Sequence, residues 1–288
     1  MTGKLAAEGP NAEQIEYWNE VQGAKWVANQ ARLDALIERF GARAMDDAGV
    51  KAGERVLDVG CGCGATSLAL GERVGPGGSV LGVDLSQPML ARAAERAREA
   101  GQGHVVFESA DAQTHAFEPG SRDLAFSRFG VMFFADPTRA FANLRSALRP
   151  GGRVAFSCWR AIPENAWVAV PLGAMTKVIE PPPPPEPGAP GPFSFADPDR
   201  VRGILAGAGF EAIDIDRHDE KLVLGGVLEE AVEFTLTNGP ASRLMETATP
   251  EQRERATELV REALAPHARE GGVALAGAAW RVLAHNPR

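Results

Sequence analysis

Val56-Leu57-Asp58-Val59-Gly60-Cys61-Gly62-Cys63-Gly64 reads as a short buried strand, over 55–59, that runs into a turn of three alternating glycines. A helical stretch over 65–74 follows, and Pro76-Gly77-Gly78 closes it. The unit then recurs, with a strand at 79–84, a helix at 87–100, a strand at 104–109, a strand at 124–127 and a helix at 138–148. Pro150-Gly151-Gly152 reads as a break and 153–158 as a fifth strand. Strands alternating with helices imply right-handed crossovers. The expected fold is α/β, a doubly wound, mostly parallel sheet.

Upstream, residues 1–50 carry apolar positions at helical spacing, Trp18, Val21 and Trp26 in one stretch and Leu33, Leu36, Ile37 and Phe40 in another, so two helices precede the sheet. Downstream, a helix-like stretch at 167–179 and the proline run 181–185 interrupt the rhythm. That run is a stiff polyproline-type connection, lid element or docking segment. A helix at 199–208, a strand at 211–216, helical stretches at 228–245 and 251–264, and a last strand or irregular end at 272–283 complete the chain. The expected organisation is N-terminal lid helices over 1–50, a ligand-binding core over 51–160, an inserted lid over 161–200, and a C-terminal part over 201–288 that completes the sheet.

Composition narrows the function. The 288 residues carry a net charge of −8, which repels a polyphosphate backbone, so a nucleic-acid partner is not expected. Apolar runs fall far short of the roughly 20 residues that span a bilayer. Residues 1–10 lack the basic and apolar pattern of a secretory leader, so the cytoplasm is the expected location. Cys61, Cys63 and Cys158 fit neither a disulfide framework nor a zinc pattern; no metal is expected.

Glycines at 60, 62 and 64 let a ligand approach the backbone closely, and an open α/β sheet binds ligands at the carboxyl ends of its strands, beside a helix N-terminus. Asp84 closes the second strand where a carboxylate accepts both hydroxyls of a ribose, a placement that suits NAD and S-adenosylmethionine alike. Asp58, just before the first glycine, repels a pyrophosphate but suits an ammonium and a sulfonium. Asp111 can accept from an adenine amino group. Tyr17 is the one tyrosine and precedes the sheet, so a hydride enzyme with a Tyr and Lys acid/base pair has no tyrosine in place.

With Gly82-Val83-Asp84-Leu85-Ser86, Ala110-Asp111-Ala112 and Leu148-Arg149-Pro150-Gly151-Gly152 in the same order and spacing, the chain resembles the class I S-adenosylmethionine-dependent methyltransferases, especially the ubiquinone/menaquinone-biosynthesis branch. The resemblance covers about residues 53–156. It implies a Rossmann-like methyltransferase sheet of about seven strands with an added helical lid, S-adenosylmethionine as cofactor and S-adenosylhomocysteine as product. By the same resemblance Gly60, Cys61 and Gly62 line the methionine part with Asp58, Asp84 binds the ribose, and Leu85 packs on the adenine. Asp111 and the Ala112 backbone hold the adenine edge, and Ser127 with Arg128 lie beside the methionine moiety. Cys63 departs from the usual Thr or Ser.

Where nucleobase amine methyltransferases carry Asn/Asp-Pro-Pro-aromatic, this chain reads Ser127-Arg128-Phe129-Gly130, which argues against DNA as substrate. Phe129, Met132, Phe133 and Phe134 suggest an apolar wall for a small, partly hydrophobic acceptor, methylated at oxygen, carbon or nitrogen. His115, four residues after Asp111, is the nearest general-base candidate. From the lid, Trp26 and Gln30, one helical turn apart, are expected to face the cofactor, and Trp18, Trp159 and Trp167, with Phe133, the acceptor. Two other functions compete: a protein that binds S-adenosylmethionine without transferring its methyl group, and a nicotinamide-dependent oxidoreductase.

Overall fold

The computed structural model describes residues 5–288; residues 1–4, part of the segment read for a leader, lie outside it. Ahead of the sheet stand α1 (Ala12–Tyr17), a π-helical turn (Trp18–Gln22), α2 (Gly23–Ala28) and α3 (Gln30–Asp47). Two helices were expected here. The difference arises at the π turn and at Asn29, whose φ −106°, ψ 13° parts α2 from α3. The repeating units follow as β1 (Arg55–Val59), α4 (Ala65–Val74), β2 (Ser79–Asp84), α5 (Gln87–Glu99), β3 (Val105–Ser109), β4 (Arg122–Arg128), α6 (Pro137–Ala147) and β5 (Leu148–Trp159). Then come α7 (Ala166–Met175), α8 (Pro198–Gly207), β6 (Glu211–Gly225), α9 (Leu228–Thr237), α10 (Gly239–Glu246), α11 (Pro250–Leu264), β7 (Ala268–Arg269) and β8 (Gly272–His285).

The strands form one sheet in the order β3-β2-β1-β4-β5-β8-β6, with β7 paired to β8. The five strands β1 to β5 pair in parallel, in register Asp58 with Gly82 and Phe126, and Asp84 with Ser109. Strand order reverses between β1 and β4, the switch point at which open sheets of this kind take ligands. Alternating side chains cover both faces. Val56, Val80, Leu124, Phe126 and Ala155 pack with Ala44 and Met45 of α3, with Ala48 just after it, and with Leu70 and Val74 of α4. Phe156, one residue on from Ala155 and so on the opposite face, meets Phe141 of α6 and Phe195.

Three local expectations change. Pro150-Gly151-Gly152 is not a break, because the chain's end supplies the missing partners: Gly151 N donates to Asn286 O at 3.1 Å and Asn286 N to Gly152 O at 2.8 Å. The helical stretch at 228–245 is two helices, parted by Asn238 in an extended conformation and by Gly239 at φ 71°. The strand expected at 211–216 runs on to Gly225, and 272–283 forms a strand that reaches His285.

Two compact units result. One comprises Met1–Trp159, Ala189–Arg217 and Trp280–Arg288; the other comprises Arg160–Gly188 and His218–Ala279. The parallel strands and the N-terminal helices belong to the first. Within the second, the buried Asn165 accepts from Ala278 N and donates to Ala278 O, and its Oδ1 also accepts from Trp167 Nε1. Among the described residues no helix is long and apolar enough to cross a membrane.

Candidate active site

The glycine turn after β1 takes its shape from left-handed backbone, Gly60, Gly62 and Gly64 standing at φ 67°, 55° and 81°. A Cβ on Gly60 would lie 2.8 Å from Gly130 Cα, so the turn and the loop after β4 meet backbone to backbone. The amides of the turn point into the protein. Gly60 N and Cys61 N both donate to Val83 O, Gly62 N to Asp84 Oδ2 at 2.8 Å, and Gly64 N to Cys61 O. A phosphate-binding turn presents its N–H groups to the anion; this one has spent four of them on protein oxygens. Cys61 and Cys63 are buried free thiols, and burial pushes Cys63 up to about 12.

Asp58, fully buried at the end of β1, faces the first turn of α4. Its Oδ2 accepts from Thr66 Oγ1 and Ser67 Oγ, each at 2.6 Å, while Oδ1 is buried without a protein partner. Burial pushes the carboxyl up to about 6, against the pull of those hydroxyls and of the Arg128 charge. A buried oxygen with no donor is a vacancy for a cation or an N–H.

Asp84, half-buried at the end of β2, accepts from Gly62 N through Oδ2 and from Ser86 N through Oδ1 at 2.9 Å, so each oxygen retains a lone pair. The N-terminal helices clamp this corner. Asn19 Nδ2 donates to Leu85 O at 2.9 Å, Gln87 N to Asn19 Oδ1 at 3.1 Å, and Ser86 Oγ to Trp18 O at 2.9 Å. A side chain at Gly23 would collide with Ser86 Oγ and Pro88.

Asp111, expected to read an adenine amino group, is already occupied. Asn11 Nδ2 lies 3.0 Å from both of its oxygens, Gln113 N donates to Oδ1 and Thr114 Oγ1 to Oδ2. All of its roughly four lone-pair sites are engaged, so an adenine amino group has to share with Asn11 or displace it. Asn11 itself is buried, and its Oδ1 accepts from Ala135 N. Ala112 O accepts from Asn143 Nδ2.

After β4, Ser127 Oγ donates to Val59 O at 2.7 Å and accepts from Gly130 N, so this hydroxyl joins β4 to β1. Arg128 is half-buried and bonds Asp34 of α3. Phe129 adopts φ 61°, unusual for a side chain of its size, and stacks on Trp159 with centroids 4.0 Å apart and planes 10° apart. Phe40 closes on both rings. Trp159 therefore belongs to a buried aromatic group.

A second, half-exposed aromatic group gathers Trp18, Trp26 and Phe133, with centroid separations of 5.9 Å from Trp18 to Trp26 and 5.5 Å from Trp18 to Phe133. Two of the expected acceptor residues, Trp18 and Phe133, thus meet, and Trp26, expected at the cofactor, joins them. Asn29 parts α2 from α3 between Trp26 and Gln30, and Gln30 Nε2 donates to Asp34 Oδ2. His115 lies with Phe117, ring centroids 4.7 Å apart, and its Nε2 stands 3.7 Å from Glu108 Oε1. Trp167 belongs to the second unit. Asn11, Asn19 and Asp34 were not legible as site residues.

Residues 56–152 match the methyltransferase domain family. Nocamycin O-methyltransferase of Saccharothrix syringae is 32% identical over 240 residues, 80% of this chain and 85% of that protein. Demethylmenaquinone methyltransferase of Thermus thermophilus is 41% identical over 116 residues, 40% of this chain and 52% of that protein, so the chain spans about half the length of that relative. The crystal structure of the YcgJ protein of Bacillus subtilis superposes with a TM-score of 0.59 at 17% identity, covering 87% of this chain and 99% of that one. The chain belongs to the class I S-adenosylmethionine-dependent methyltransferases. It is an enzyme that uses S-adenosylmethionine, and the two competing functions fall away.

The residues fit that cofactor. Asp58 Oδ1 offers an anionic acceptor for an ammonium, and Asp84 keeps a lone pair on each oxygen for a ribose. A consequence is pH-dependent binding. With its carboxyl raised to about 6, Asp58 is neutral below that pH and anionic above it. Affinity for S-adenosylhomocysteine is expected to fall about tenfold from about pH 7.5 to about pH 5, and in Asp58→Asn to lose most of that dependence. Calorimetry across this range checks it; a flat wild-type profile would separate Asp58 from the ammonium.

Proposed function

We propose that the enzyme methylates a small, partly hydrophobic organic acceptor, at oxygen, against the Trp18, Trp26 and Phe133 rings. The observation that carries this reading is the half-exposed, edge-to-face grouping of Phe133, after β4, with Trp18 and Trp26 of a segment clamped to the Asp84 corner. The name of the Saccharothrix relative supports oxygen as the acceptor atom. Bound S-adenosylmethionine supplies an electrophilic methyl group on a sulfonium. The chain's own work is to orient and to keep water out: Asp58 and Arg128 hold the amino-acid end, Asp84 the ribose, and the aromatic edges an apolar acceptor in line with the methyl group. Of the expected lid over 1–50, residues 5–50 act as the lid. The transfer needs no covalent nucleophile, and an acceptor that ionises readily needs no base. For an acceptor that needs a base, His115 is the candidate, its Nε2 3.7 Å from Glu108 Oε1 and its other ring nitrogen left for the proton.

Titration with S-adenosylhomocysteine, with NADH as control, followed by turnover on a panel of phenolic, carboxylic and amine acceptors, tests the reading. Trp18→Ala is expected to raise the acceptor KM about tenfold, as one aromatic face is lost, and to change S-adenosylhomocysteine affinity less than about threefold, because Trp18 meets Ser86 through its carbonyl. Turnover on amines alone, or an unchanged KM, would overturn it.

A further inference from the structure

Asp34 lies on α3, outside every motif, yet three side chains converge on it. Arg128 Nη2 donates to its Oδ1 at 3.1 Å, and Arg96 Nη1 and Gln30 Nε2 donate to its Oδ2 at 3.0 and 2.5 Å. The same Arg96 Nη1 reaches Cys63 O in the glycine turn at 2.6 Å. Seven residues on, and so on the same face of α3, Gly41 makes room for the arginine: a Cβ there would lie 3.0 Å from Arg128 Cδ. The helix thus carries a gap for the stem of Arg128 and an anion for its head. Arg128 in turn sits in the field of Asp58, whose second oxygen has no partner, and the two guanidiniums repel each other unless the carboxylate lies between them.

We propose that Asp34 is a positioning residue for the methionine end of the S-adenosylmethionine site, holding Arg128 near Asp58 and, through Arg96, the Cys63 carbonyl of the glycine turn. The proposal rests on the assignment of that site to Asp58, Arg128 and the turn. Asp34 does not touch the reacting atoms. Its effect is confined to the amino-acid half of the ligand, which separates positioning from a general stapling of α3 to the sheet.

The experiment titrates wild type, Asp34→Asn, Asp34→Glu and Asp84→Ala with two ligands: S-adenosylhomocysteine, and 5′-methylthioadenosine, which keeps the adenosine and lacks the amino-acid end. Asp34→Asn is expected to weaken S-adenosylhomocysteine about tenfold and 5′-methylthioadenosine less than about twofold, with Asp34→Glu recovering most of the loss. Equal weakening of both ligands, or of neither, overturns the proposal. Asp84→Ala should weaken both, since both carry the ribose; if it changes neither, the site assignment itself fails. Should Asp34→Asn not fold, Arg96→Gln reads the same contrast through the Cys63 carbonyl.

Discussion

Gly60→Ala is expected to lower the unfolding free energy by about 2–5 kcal/mol, the sum of a left-handed residue given a side chain and a Cβ driven into packed backbone. At φ 67° the new methyl would stand 2.8 Å from Gly130 Cα, and Gly130 has no slack to give: a Cβ on it would lie 2.8 Å from Val59 O. Relief requires parting β1 from β4, which share the register Val56 with Leu124 through Asp58 with Phe126. Gly62→Ala is the comparison. It has a similar φ of 55°, but its Cβ would meet only Met89 Cε, the free end of a flexible side chain, so about 1–2 kcal/mol is expected. Urea unfolding of the pair measures the difference. Equal losses would mean that backbone conformation, and not the close approach, sets the cost.

Asp84→Ala should raise the dissociation constant of S-adenosylhomocysteine about thirtyfold, near 2 kcal/mol. Two acceptors for the ribose go at once. So do the partners of Gly62 N and Ser86 N, which leaves two amides of the cofactor loops without an acceptor. The variant should therefore bind weakly and fold slightly less stably. Asp84→Asn, which keeps one oxygen but turns an N–H toward a backbone donor, should fall between. Unchanged affinity in both variants would remove Asp84 from the ribose.

What the sequence conveyed and what it hid divide along a physical line. Buried parallel strands are continuous apolar runs and positive-φ turns demand glycine, so 55–64 could be read from local chemistry alone. Asn11, Asn19 and Asp34 could not. Each is a single polar residue in or beside a helix whose partners lie far off in the chain, Asn11 100 residues from Asp111, Asn19 66 from Leu85 and Asp34 94 from Arg128. Periodicity registers the apolar stripe of a helix and assigns its polar positions to solvent. The proline and glycines at 150–152 misled for a related reason, since a strand can hold them when a distant segment completes the pairing. For Asp111, residue type read correctly as an acceptor, but nothing local showed that Asn11 had taken it.

The π turn at Trp18–Gln22 sets the angular phase of the segment ahead of it. Gly23 N reaches back five residues to Trp18 O, which also accepts from Ser86 Oγ, so the turn holds one residue more than an α-helix would. Deleting any one residue of the turn would restore α-helical winding and swing the preceding segment by about 100°. Asn19 and Asn11 would then part from the loops they hold. The one extra residue of the turn therefore sets the rotational phase at which Asn11 reaches Asp111 and Asn19 reaches Leu85.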